Sequence, residues 1–165
     1  PWPEKYLYNE KKGVWNIYPF YGFNTWVIKN CKKCPNITNF LKNIPNLKLA
    51  TLSKMDPYVT LTPHKGWGNH SNNVIRCHFG IIVPKSKCFI SVKDDDDTEE
   101  ISYLEENKWT IFDDSKTHYS SNLSDKVRIV LIVDIERPNN IEKGKSEIGD
   151  TKELIQLINY LKQNN

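Results

Sequence analysis

The chain has 165 residues, 38% of them hydrophobic, and 23 Lys and Arg against 20 Asp and Glu give a formal charge of +3. That length fits one domain, residues 1–165, with enough apolar content to bury a core, and the charge bias is too weak to imply a nucleic-acid partner. No window approaches the roughly 18 apolar residues of a membrane span, and PWPEKYLYNE has neither the basic flank nor the apolar core of a signal, so no span is expected and the compartment stays open. The chain begins without methionine and in mid-pattern, as a segment lacking upstream residues would.

Residues 1–30 are aromatic-rich and read as irregular, with Trp2, Trp15 and Trp26 expected to clamp the edge of a sheet through core packing. Cys31 and Cys34 form a bare CxxC; zinc would need two further ligands at comparable spacing, so incidental thiols or a local disulfide are favoured. ITNFLKNI, residues 37–44, carries apolar residues at helical spacing and predicts a short helix. From Lys48 the period changes to two, and LKLATLSKM, YVTLT, VIRCHFGIIV, CFISV, WTIF and KVRIVLIVDI read as successive strands. KDDDDTEE, between two of these strands, is a solvated hairpin loop, since the alternating ligands and glycine of a calcium loop are missing. At the end, DTKELIQLINYLKQ predicts an amphipathic helix over about residues 150–163, with Asp150 as N-cap and Leu154, Leu157, Ile158 and Leu161 on one face.

Short strands in one domain, with a core over residues 48–138, make the fold mainly β: a sandwich or jelly-roll barrel that can host a ligand in its mouth. Alternation sends Val74, Arg76, His78 and Gly80 to one face of their strand and Ile75, Cys77, Phe79 and Ile81 to the other. By the same rule Arg128, Val130, Ile132 and Asp134 share a face. A cation set among aliphatics needs an anion, from the protein or from a ligand. Of the four histidines, His64 and His118 stand at strand ends. With two embedded arginines they suggest a ferrous site taking a dianionic co-substrate.

Several ordered pieces resemble the catalytic domain of the aspartyl/asparaginyl β-hydroxylase family over most of residues 13–138. They are GVWNIY, Ser53 eleven residues before His64, the PHKG that contains His64, RCHFGIIVPKSKC, WTIFDDSKTH and VRIVLIVDIERP. The resemblance implies a double-stranded β-helix, or cupin-like jelly roll, and a dioxygenase using Fe(II), 2-oxoglutarate and O2. By position it makes His64 and His118 the iron ligands and sets Arg128, with Ser53, on the distal carboxylate of 2-oxoglutarate. Arg76, His78 and Trp15 would line the co-substrate and catalytic pocket. Iron oxygenases normally add a carboxylate as third ligand, but here Gly66 stands at that position, as the family motif implies. Asp113 and Asp114 are the nearest carboxylates, expected to orient groups rather than to bind the metal. Two departures concern the substrate: WGNHSNN looks like a small insertion, and Val74 replaces a family arginine that would bind an acidic side chain, a role Lys65 or His70 could take over. The implied activity is hydroxylation of the β-carbon of Asp or Asn in a peptide or protein. The alternatives are an oxygenase acting on a small molecule, lipid or carrier-bound amino acid, and a binding barrel without catalysis.

Overall fold

Period-two alternation does build strands here, and two antiparallel sheets result. The computed structural model describes residues 1–163. Its strands are β1 (Trp15–Gly22), β2 (Thr25–Trp26), β3 (Leu47–Met55), β4 (Val74–Ile82), β5 (Cys88–Lys93), β6 (Glu99–Tyr103), β7 (Trp109–Phe112), β8 (His118–Asn122) and β9 (Arg128–Glu136). One sheet has the order β2-β1-β3-β9-β4-β7 and the other β6-β5-β8. The result is mainly β, of the jelly-roll, cupin-like class, joined by the helices α1 (Ile28–Lys33), α2 (Pro35–Lys42), α3 (Gly68–Ser71) and α4 (Lys152–Gln163). No helix of the described residues is long and apolar enough to cross a membrane.

Each face of the large sheet has its own cover. Helices α1 and α2 pack Cys31 and Leu41 against Phe20, Ala50, Cys77, Leu131 and Val133. The opposite face meets the small sheet, where Leu49, Val130 and Ile132 pack with Cys88 and Ile90. Burying each large aliphatic or aromatic side chain stabilises by about 1.5–3 kcal/mol. Cys77 therefore faces the helices, while Arg76 and His78 face the interior with Ile132, as alternation along β4 and β9 requires.

Some local expectations are corrected. YVTLT is not a strand: Tyr58 has φ of 60°, and the segment meets β8 only through an isolated bridge between Thr60 and Ser121 with bonds on alternate residues. Residues 15–22, expected to be irregular, form β1, whose pairing with β3 shifts register between Pro19 and Tyr21; that bulge and the proline hide its alternation. The first predicted helix starts earlier, because Pro35 suits the first helical position. In the carboxy-terminal helix Thr151, not Asp150, is the cap: its hydroxyl accepts the Leu154 N–H at 3.1 Å, while Asp150 accepts from Asn69 at 3.3 Å. All four cysteines are free thiols.

Candidate active site

His64 lies where the chain comes alongside the first residue of β8. Its backbone N–H donates to the His118 carbonyl at 3.0 Å and its carbonyl accepts from the His118 N–H at 2.8 Å. This pairing sets the two imidazoles side by side, with ring centroids 4.5 Å apart. Each Nδ1 faces a carbonyl two residues earlier, Thr62 at 2.7 Å and Lys116 at 2.9 Å. A carbonyl can only accept, so Nδ1 carries the proton and Nε2 keeps a lone pair for a ligand. Burial favours the neutral rings, lowering both pKa values, that of His118 to about 3 with the help of neighbouring His64. Among the described residues no group of three or more His, Cys, Asp or Glu side chains could hold a metal ion; what the site brings together is the imidazole pair of His64 and His118. Their paired free Nε2 atoms fit a divalent transition ion.

Arg128 lies in the same narrow cavity and is 1% exposed. Its Nη1 donates to Ser120 Oγ at 2.5 Å and its Nη2 to Ser53 Oγ at 3.3 Å, while Nε has no partner among the described residues. Burial lowers its pKa to about 10, which still leaves a cation at neutral pH, solvated by hydroxyls instead of paired with a carboxylate. Ser53 also accepts the Trp15 indole N–H at 2.9 Å, so both its lone pairs meet donors and its own proton is available to an acceptor. Among the described residues neither ring nitrogen of His78 has a hydrogen-bond partner, although the side chain is buried against Phe112; burial, then Arg128 and Arg76, lower its pKa well below the usual value. Unsatisfied buried donors cost about 1–3 kcal/mol each. A carboxylate ligand would satisfy them, so these residues fit the anionic co-substrate that the sequence led us to expect.

Arg76 belongs to a different arrangement. Its Nε and Nη2 donate to Asp134 at 2.8 and 2.7 Å, and its Nη1 donates to Asp114. Burial opposes charge on Asp134, but Arg76 and His70 together hold its carboxyl below the usual carboxylate range. Burial instead dominates at Asp114 and raises its pKa to about 6 against the pull of Arg76. Asp114 Oδ1 stands 3.4 Å from His118 Nε2, and its Oδ2 fills the space beside Gly66. Asp113 points elsewhere: it receives Nη1 and Nη2 of Arg137 at 2.9 and 2.6 Å and anchors the chain that leaves β9. His70 Nε2 donates to the Asp134 carboxylate at 2.7 Å and is absent from the pocket wall, whereas Lys65 is exposed at its lip.

A cavity of about 310 Å³ opens beside His64, walled by Trp2, Trp15, Trp67, Leu49, Ile132 and Ile148. Trp2 stacks between Trp15 and Trp67, at centroid distances of 4.5 and 5.7 Å. The inserted WGNHSNN becomes α3 and seats the segment after β9: Gly68 N–H donates to Ile148 O at 2.8 Å, and Asn72 exchanges bonds with Ser146 at 2.7 and 2.9 Å. Sequence reasoning missed Ser120, Glu4 and Trp67 as site residues. It left Asp134 unassigned, although its place on the interior face beside two arginines was a usable signal.

A sequence model of the aspartyl/asparaginyl beta-hydroxylase family matches residues 1–138. An ornithine lipid ester-linked acyl 2-hydroxylase of Rhizobium tropici is 34% identical over 124 residues, covering 75% of this chain and 42% of that protein. The human aspartyl/asparaginyl beta-hydroxylase is 28% identical over 133 residues, 78% of this chain and 16% of that protein. The chain thus spans less than half the length of either relative. Peruvianin-I, a cysteine peptidase of Thevetia peruviana latex, has a TM-score of 0.50 at 9% identity, over 77% of this chain and 64% of that one; the likeness is of fold alone. The chain belongs to the aspartyl/asparaginyl β-hydroxylase family.

Proposed function

We propose that this family member is an Fe(II)- and 2-oxoglutarate-dependent oxygenase that hydroxylates an aliphatic C–H bond. The observation that carries the reading is the pairing, in one cavity, of two imidazoles with free Nε2 atoms and a buried Arg128 lacking a protein anion. In the overall reaction R–H, O2 and 2-oxoglutarate give R–OH, succinate and CO2. Bound iron supplies the oxygen activation that side chains lack. His64 and His118 hold the ion. Arg128 and the Ser53 hydroxyl bind the distal carboxylate, the planar guanidinium matching a carboxylate as lysine could not. Ser120 and Trp15 keep those two groups in place. His78 offers its unpartnered ring to the co-substrate, and the tryptophan wall excludes water from the reacting region.

For the substrate, an acyl chain is the reading the pocket supports best. Its wall is mostly apolar, Val74 supplies no cation, and Arg76 is already engaged by Asp114 and Asp134. The name of the Rhizobium tropici relative is consistent with this. Hydroxylation of an Asp or Asn β-carbon in a peptide is the second reading, favoured by exposed Lys65 at the lip, which could meet a substrate carboxylate. Incubation with Fe(II), 2-oxoglutarate and O2 separates them: succinate release and a gain of one oxygen by mass are expected with acyl lipids. The same gain only on Asp- or Asn-containing peptides would favour the second. No succinate with either class would leave the binding barrel without catalysis.

A further inference from the structure

Glu4 is a carboxylate in the wall of the pocket beside His64, and it is 4% exposed. Four donors surround it. Tyr6 Oη, Trp67 Nε1 and Thr151 Oγ1 each reach Oε1 at 2.9 Å, and Trp2 Nε1 reaches Oε2 at 3.2 Å. All four are neutral, so they solvate the charge without balancing it. Oε2, with a single donor, keeps lone-pair capacity.

The other buried charges are accounted for. Arg137 pairs with Asp113, and Arg76 with Asp114 and Asp134. If iron(II) and the 2-oxoglutarate dianion cancel each other, Arg76 and Arg128 cancel Asp114 and Asp134. Among the described residues Glu4 is then the buried negative charge left over in the wall, while Lys65, also on that wall, is exposed to solvent at its lip. The surface beside it is a stack of indoles, whose π faces attract cations.

We propose that this pocket recognises the ammonium group of a cationic substrate, with Glu4 as counter-charge and the tryptophan wall as the surface that receives the group and its apolar chain. That the bound molecule is a substrate rests on the oxygenase reading; the recognition itself does not.

The test is a titration of the chain with n-hexylammonium, hexan-1-ol and hexanoate, followed by tryptophan emission, since three of the five tryptophans line the pocket. Hexylammonium is expected to bind about tenfold more tightly than the alcohol, a difference of about 1.4 kcal/mol, and hexanoate most weakly. Glu4→Gln should abolish the preference, whereas Thr151→Val, which removes a donor but keeps the charge, should retain it. Equal binding of ammonium and alcohol, tighter hexanoate, or a preference that survives Glu4→Gln would overturn the proposal. Should Glu4→Gln fail to fold, the three-ligand comparison on the unchanged chain decides. Ammonium preference without succinate formation under any condition would sink the oxygenase reading alone; succinate formation without the preference would sink this one alone.

Discussion

The Cβ that Gly66 lacks would collide with Oδ2 of Asp114. The two residues are neighbours because Gly66 N–H donates to the Asp114 carbonyl at 2.9 Å. A carboxylate at position 66, the usual third ligand of such iron sites, therefore has no room. Asp114 brings its own carboxylate into that space from the loop between β7 and β8, and Arg76 holds it there.

Gly66→Ala should accordingly destabilise the fold by about 1–3 kcal/mol through overpacking. In an Asp114→Ala background the same substitution should cost less, because the carboxylate is gone while the contact with Ser71 Cβ at 2.7 Å stays. Urea unfolding of the two single variants and the double variant measures the coupling. Additive losses would mean that the clash is relieved by some other movement.

The role of Asp114 follows from what holds it. Engaged by Arg76, it is placed to orient a ligand or water next to His118, and the proposed metal ligands stay His64 and His118. Asp114→Ala should lower metal affinity or activity by about 10–100-fold with the metal still captured at high concentration, whereas His64→Ala or His118→Ala should abolish capture. Titration with a redox-inert divalent ion compares the three. An Asp114 oxygen at about 2.0–2.2 Å from that ion in a crystal structure would make it a ligand and refute the two-imidazole arrangement.

How much of this was legible depends on what each residue packs against. β4 pairs with β9 in unbroken register from Val74 to Gly80, so period-two alternation sufficed to place Arg76, His78 and Arg128 on the interior face. β8 could not be read: its buried residues are His118, Ser120, Ser121 and Asn122, satisfied by hydrogen bonds, and hydrophobic periodicity says nothing about a buried polar strand. Glu4 and Trp67 reach the pocket from irregular segments 63 residues apart in sequence. No local pattern predicts such a contact. The partner of Arg76 was open to inference, since Asp134 shares its face and sits opposite it in register, but choosing between a protein anion and a ligand needed the distances.

Loss of the co-substrate clamp should be graded. Under the proposed function, Arg128→Met removes the charge that would hold the co-substrate carboxylate and should weaken 2-oxoglutarate binding most, since breaking a buried charge pair costs about 3–5 kcal/mol. Ser53→Ala removes one hydroxyl donor to a charged acceptor, about 1.5–3 kcal/mol, and also leaves the Trp15 indole N–H without its acceptor. Co-substrate titration of both variants should give the order Arg128→Met worse than Ser53→Ala. The reverse order would show the clamp to be drawn wrongly.

Asp134 makes its contribution to the fold, and its sign with pH is fixed by the direction of its shift. Arg76 and His70 hold its folded pKa below the ordinary carboxylate value of about 3.9. A depressed folded pKa means that the ionised form is favoured on folding, so its stabilisation is complete above the unfolded pKa and is lost as pH falls below about 4 towards the folded value. Asp134→Asn removes that linkage and leaves the buried Arg76 with Asp114 as its one remaining carboxylate, which should cost about 3–5 kcal/mol at neutral pH. Unfolding free energies of both chains, measured from pH 7 down through pH 3, should therefore differ most at neutral pH and begin to narrow below about pH 4. A gap that stays constant over that range would place the effect in packing and not in the ion pair.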